Sequence, residues 1–358
     1  MVIVETSKEF RNFAKVFNEL DSIVIPIECD FNKHPKDTKL CLLYIKTISE
    51  DSKEYILPFR HSDALNLEIH MIDNLWTSKN VYTYDKKKLL HFFDWKDTHD
   101  VQMNYYLEKN EPLVIDDVLT NAHEYFHRKY YGKSNVNCII PIMKHLEWCR
   151  NVVEILKKAG VIGKKETESV YSIYNEDVLE SLQQIESNGL QTTDGMVYSE
   201  YNPYTATGRP SNRFGGLNFA ALNKKDGSRK KFISRYGKEG MLVEMDYDAY
   251  HLRLIGDVVD YKFPKGSVHK HMAKFYGVDY EEAKSLSFQY LYGSIPYEVS
   301  QINPFFCKVE DYVNDVWESY KSKNFIESDI YNKRIYRKNL SDMNKNKVFN
   351  YLIQLMET

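Results

Sequence analysis

The sequence predicts a mixed α/β (α+β) protein in two parts, and three observations predict it. Short apolar runs of strand length sit near the front of the chain, at residues 22–28, 40–45 and 54–58. Stretches with apolar residues at helical spacing follow them and dominate the second half. A further apolar run, residues 241–246, opens a second series of helices after a segment rich in Gly, Asn and Ser. The 358 residues suffice for two domains of ordinary size, and an apolar content of 43% supports a packed core.

The first domain is expected over residues 1–163. After its three strands come helical stretches at 86–93 and 142–159, and Gly160 stands where a helix stop belongs. A charged junction at 164–168 opens a connecting segment over 164–194. Its helix, from about Ser169 to Ser187, places Val170, Tyr174, Val178, Leu182 and Ile185 near one face, and Gly189 ends it. The second domain is expected over 195–358. It begins with irregular turns to residue 240, then a strand at 241–246 and helices at 268–276, 280–292, 309–320 and 344–356.

Net charge is -3, so any nucleic-acid contact must come from local basic segments. Two exist. Residues 224–238 carry Lys224, Lys225, Arg229, Lys230, Lys231 and Arg235 against Asp226. Residues 333–347 carry Lys333, Arg334, Arg337, Lys338, Lys345 and Lys347. Each is either a phosphate-binding stripe or a solvated face. The five cysteines are odd in number and show no CxxC spacing, which argues against a disulfide framework or a zinc site and fits a reducing cytoplasm. Glu5, Lys8 and Glu9 interrupt any leader peptide, and no run approaches the ~20 apolar residues of a membrane span. The wealth of Tyr, Lys and Asn suits an AT-rich coding sequence, as in a phage, a plasmid or a low-GC bacterium.

Two segments carry chemistry. The run ending in Asp246 delivers a carboxylate to a strand tip directly before a helix, where it can hold Mg²⁺, a hard cation that takes oxygen ligands. The Tyr247 carbonyl offers a further ligand. The plain alternative is an aspartate that caps the helix. In the second segment Lys284, Phe288 and Tyr292 recur every fourth residue and share one helix face. That face presents a cation for a triphosphate, a ring for a base and a second ring at the helix end. The alternative is an amphipathic helix with its lysine at the rim.

Taken in order, these segments resemble the family A (Pol I-like) DNA polymerases. The stretch from Thr205 to Asn212, with Thr207-Gly208-Arg209, is similar to the family's TGR segment, and Gly216-Leu217-Asn218 to the turn after it. Asp246-Tyr247, Val268-His269, then Lys284, Phe288, Tyr292 and Gly293, and finally the stretch from Asn350 to Gln354 follow in family order over about residues 170–358. The resemblance implies a partial palm-and-fingers polymerase domain. It implies that Asp246 and the Tyr247 carbonyl bind Mg²⁺, that Lys284 binds the triphosphate of an incoming dNTP, and that Phe288 packs on its sugar and base. Tyr292 would lie at the template side of the nascent pair. Arg209 would touch primer–template DNA near the growing end, Arg229 and Lys230 would hold phosphates, and Asn350 and Gln354 would read minor-groove acceptors.

Several departures qualify this. The family's second catalytic acid lies beyond the position of Thr358, so the resemblance implies a truncated chain, a second polymerase subunit carrying that motif, or a protein that does not polymerise. The helical thumb before the TGR segment has no counterpart between Gly189 and Gly208. His251 stands where the family has a Glu that excludes the ribose 2′-hydroxyl. Tyr280 stands where an Arg is expected. The first domain resembles the RNase H-like 3′–5′ exonuclease-type domain that precedes the polymerase in this family. Only Glu28 and Asp85 match its metal-binding acids, and Pro26 replaces another. A vestigial exonuclease without activity is the expectation, and the alternative is Asp30 or Asp100 acting as replacement ligands. The function expected is template-directed DNA synthesis in the cytoplasm of a bacterium or a phage-infected cell. The alternative is a non-catalytic relative that holds primer–template or nucleotide.

Overall fold

The computed structural model describes residues 1–358 apart from 31, 32, 74, 76, 116–134, 163–169, 214–217, 220, 221, 223–225, 329, 331, 332 and 358. The expected junction at 164–168, the Gly216-Leu217 pair, and Lys224 and Lys225 of the first basic run lie outside the described residues. Contacts divide the chain into two compact units, Met1–Tyr204 with Pro210–Met241, and Thr205–Arg209 with Leu242–Thr358. The sequence-based division fell after residues 163 and 194. The helix of the connecting segment and the hairpins after it belong to the first unit.

The first unit is built on a six-stranded mixed sheet in the order β1-β4-β3-β2-β5-β6. Its strands are β1 (Val2–Ile3), β2 (Ser22–Glu28), β3 (Leu40–Thr47), β4 (Glu54–Pro58), β5 (Val81–Thr83) and β6 (Thr98–Asp100). β2 runs antiparallel to β3 and parallel to β5, and β5 is parallel to β6. β2 is buried throughout, as a central strand covered on both faces must be. Successive side chains of a strand point to opposite faces. Ile23, Ile25 and Ile27 accordingly join one core with Leu146, Val152 and Leu156, while Val24 joins another with Phe10, Phe13 and Phe17. The first core is closed by helix α5 (Ile142–Ala159). The second is closed by helix α1 (Ser7–Phe17), whose start is fixed by a Thr6–Glu9 capping box. Pro26 is tolerated inside β2 because the β5 register ends at Val24, so the missing N–H removes no bond to β5.

Short helices α2 (His70–Asp73), α3 (Lys86–Leu90) and α4 (Val101–Lys109) complete the crossovers. Helix α6 (Val170–Asn188) and the hairpins β7–β8 (Leu190–Thr192, Gly195–Val197) and β9–β10 (Glu200–Asn202, Ser211–Arg213) follow. Gly189, at φ 56°, ends α6 where the Tyr198 ring and the Val197 carbonyl leave no room for a Cβ.

The second unit is mainly helical. Among the described residues it comprises α7 (Tyr250–Val258), α8 (Val268–Tyr276), α9 (Tyr280–Tyr292), α10 (Tyr297–Ile302), α11 (Pro304–Lys323) and α12 (Lys345–Glu357), with the hairpin β11–β12 (Phe325–Glu327, Arg334–Tyr336). Leu252, Met272, Leu291, Phe305, Phe306, Phe349 and Leu352 pack into one core. No described helix is long and apolar enough to cross a membrane.

Candidate active site

Residues 241–246 are expected to form a strand, and they do not: the segment belongs to no strand or helix. Met241, Leu242, Val243, Met245 and Tyr247 are all largely exposed. A strand needs a partner to satisfy its backbone and cover its side chains, and no described strand pairs with this one. Asp246 still ends the segment, but α7 begins at Tyr250, four residues on, rather than directly behind it. The Asp246 carboxylate accepts a bond from the Tyr247 N–H at 2.9 Å. Ala249, at φ 51°, sits in the left-handed region and turns the chain into α7, a conformation that costs a non-glycine residue about 1 kcal/mol. Asp248 is engaged by other partners. Its carboxylate meets Arg253 at 3.0 Å and caps the first turn of α8 at the Val268 N–H. Burial pushes that carboxyl up, but the Arg253 bond, the Val268 amide and the charge of Arg253 leave it below its usual range.

Helix α9 starts at Asp279, which accepts the Glu282 N–H. Its core face is Ala283, Ser287 and Leu291. Lys284, Phe288 and Tyr292, each one position further on, form the adjacent face, as the four-residue spacing demands. Phe288 and Tyr292 stack with ring centroids 6.0 Å apart, and Phe288 lies 5.5 Å from the ring of His269. Burial, and then the charge of Lys284, lowers the pKa of His269.

The two segments meet. Asp246, Tyr247, Asp248, His251, His269, Tyr280, Lys284, Phe288 and Glu357 line one cleft of about 760 Å³ in the second unit. Tyr292 borders the cleft through His251, whose Nδ1 is hydrogen-bonded to the Tyr292 hydroxyl. On its other side His251 Nε2 lies 3.3 Å from the Glu357 carboxylate, which also meets Arg209 Nε at 3.2 Å. Burial, and then the charge of Glu357, pushes the Tyr292 phenol up to about 12. Arg209 is offered by a turn closed from Gly208 N–H to Thr205 carbonyl, with Gly208 at φ 83°. Tyr280, at the position of the missing arginine, faces the His269 ring edge-on in the cleft wall.

The remaining expected residues fall outside the cleft. Asn350 donates to the Tyr292 carbonyl at 3.1 Å and thereby ties α12 to the end of α9, and Gln354 is half-buried one turn later. Arg229 belongs to the first unit and donates to the Leu222 carbonyl, while Lys230 beside it is exposed. Arg235 and Lys231 are likewise engaged, Arg235 at the carbonyls that end α6 and Lys231 at Asp194. Glu28 and Asp85 stand at the ends of β2 and β5, in the first unit. Sequence reasoning missed Glu357 altogether. Its only signal was a place two turns beyond Asn350, just past the helical stretch expected at 344–356.

Neither a protein-family model nor a curated sequence matches the chain. The POL domain of Pol1 from M. smegmatis, solved in complex with DNA primer-template and dNTP, shares its fold. The TM-score is 0.63 at 12% identity over 99% of this chain and 86% of that chain. The fold is therefore that of a Pol I polymerase domain, and at this identity the likeness shows the fold alone.

Proposed function

We propose that this chain is a template-directed DNA polymerase of the family A kind, which transfers a nucleotide from a dNTP to a primer 3′-hydroxyl and takes its second catalytic carboxylate from another polypeptide. One observation carries the reading: Asp246 lines the same cleft as Lys284 and Phe288. A carboxylate, a cation and an aromatic ring around one cavity match the three parts of a nucleotide complexed with a divalent ion. Lys284 binds the triphosphate, Phe288 packs on sugar and base, and Tyr292, held by His251 and Asn350, supports the end of that surface. Arg209 and the Asn350–Gln354 helix face primer–template DNA, and Lys230 and Arg229 add phosphate contacts.

Asp246 fits one ligand position of a Mg²⁺ ion, since no cationic side chain pairs with it among the described residues. Asp248 and Glu357 do not join it, because Arg253 holds one and Arg209 and His251 hold the other. Asp246 and the Tyr247 carbonyl would hold the ion, with phosphate oxygens, water or the second chain completing its shell. Bound there, Mg²⁺ supplies neutralisation of the triphosphate charge and activation of the primer hydroxyl.

That Asp246 is the one carboxylate without a cationic partner among the described residues of the cleft favours a second reading, in which the protein holds nucleotide or primer–template without turning it over. Primer extension in Mg²⁺ by the full chain, with and without the polypeptide that supplies the second carboxylate, beside Asp246→Ala, separates the two. Extension abolished by Asp246→Ala supports the polymerase. Extension indifferent to that change overturns it, and absent extension with retained primer–template binding supports the second reading.

A further inference from the structure

Helix α3 begins with three consecutive lysines, and each meets its own carboxylate inside the first unit. Lys86 and Lys87 are 0% and 3% exposed. Lysine is almost never buried unless it is paired. Lys86 Nζ lies 3.3 Å from Glu180 of α6. Lys87 lies 2.7 Å from Glu186 of α6 and 3.9 Å from Glu200 of β9. Lys88 lies 2.9 Å from Glu28 at the end of β2. Burial opposes the charge on Lys88, but Glu28, Tyr84 and Asp85 together raise its pKa above the usual lysine value.

The place is a meeting of carboxylates. Glu28, Asp85 and Asp100 stand at the same end of three neighbouring parallel strands, β2, β5 and β6. The ends of parallel strands are where α/β sheets bind ligands, and converging carboxylates there would suit a divalent ion. The residues present do not fit one. Glu28 is bound to the Lys88 ammonium. Asp85 accepts the Lys88 backbone N–H. Asp100 accepts the Lys86 and Met103 N–H groups, each at 2.7 Å, and the Tyr204 hydroxyl. No set of three ligands able to hold a metal occurs among the described residues.

We infer that the Lys88 ammonium is a resident cation that takes the place of a divalent metal at this carboxylate cluster. Together with Lys86 and Lys87 it fastens α6 and β9 onto the sheet. The first unit is thereby closed to the metal. It is a scaffold held by three internal ammonium groups.

The test is the number of Mn²⁺ ions bound by the full chain, counted by titration with electron paramagnetic resonance in an Asp246→Asn background that silences the cleft of the second unit. Lys88→Ala gains one bound Mn²⁺ over the background chain, and adding Glu28→Gln removes the gain. Lys88→Met, which keeps the stem, shows the same gain and serves if the alanine variant does not fold. With Lys88 intact, Glu28→Gln leaves the count unchanged. The inference is overturned if Glu28→Gln or Asp85→Asn lowers the Mn²⁺ count of the chain that retains Lys88. It is equally overturned if folded Lys88 variants gain no site.

Discussion

Replacing Lys284 with methionine should weaken triphosphate binding while sparing the fold. Lys284 is half-buried in the cleft wall beside Phe288 and His269. No carboxylate pairs with it among the described residues, so removing it leaves no buried partner without its counter-charge. A stability change within about 0.5 kcal/mol is expected, as for an ordinary surface substitution. Its loss to a bound triphosphate is that of a charge-assisted hydrogen bond, roughly 1.5–3 kcal/mol or a 10- to 150-fold rise in Kd. Equilibrium titration of the full chain with a dNTP and with the matching nucleoside separates the phosphate contribution, because the nucleoside has nothing for the ammonium to bind. A second readout is internal. The positive charge of Lys284 helps to lower the pKa of His269, so His269 should titrate at higher pH in Lys284→Met, measurable by NMR. A nucleoside weakened as much as the triphosphate, or a triphosphate Kd that moves less than about threefold, would refute the assignment of Lys284 to the phosphates.

Phe288→Ala should cost nucleoside and triphosphate alike, by roughly 1–3 kcal/mol in the same titration, since a ring stacked on a base contributes about that much. Glu186 is fully buried and joined to Lys87 at 2.7 Å, His91 at 2.9 Å and the Tyr201 N–H at 2.7 Å. Glu186→Ala leaves the buried Lys87 charge only the more distant Glu200, at 3.9 Å, and should lower unfolding stability in urea by about 3–5 kcal/mol; a loss under about 1 kcal/mol would contradict the network. The Asp100 carboxyl is pushed up to about 7, by burial first and then by Asp85. Its folded pKa exceeds the unfolded value near 3.8, so the folded state binds the extra proton between those pH values. Stability from this group therefore falls as pH rises from about 4 to 7. Asp100→Asn should flatten that slope in pH-dependent urea melts, and an unchanged slope would contradict it.

Much of this was legible in the sequence, and the exceptions share a cause. The strands β2 and β4 and the helices α5, α8 and α9 run where periodicity places them, because local pattern and packing agree there. The four-residue spacing of Lys284, Phe288 and Tyr292 fixed one face of α9 without any knowledge of its neighbours. The run ending in Asp246 has strand composition but no partner strand, and pairing is a non-local fact that composition does not contain. Glu357 reaches the cleft from the last turn of α12, and its tie to His251 and Arg209 joins three segments far apart in the chain. Lys86, Lys87 and Lys88 are lysines whose burial follows only from partners at 180, 186, 200 and 28. Where a side chain's environment is made by distant segments, its identity alone misleads.

The most direct measurement is the Mg²⁺ dependence of dNTP affinity in the full chain and in Asp246→Asn. If Asp246 anchors a metal in the cleft that Lys284 and Phe288 line, Mg²⁺ tightens dNTP binding to the native chain by about tenfold, roughly 1.4 kcal/mol, and leaves Asp246→Asn unmoved. The same Mg²⁺ dependence in both proteins would contradict it.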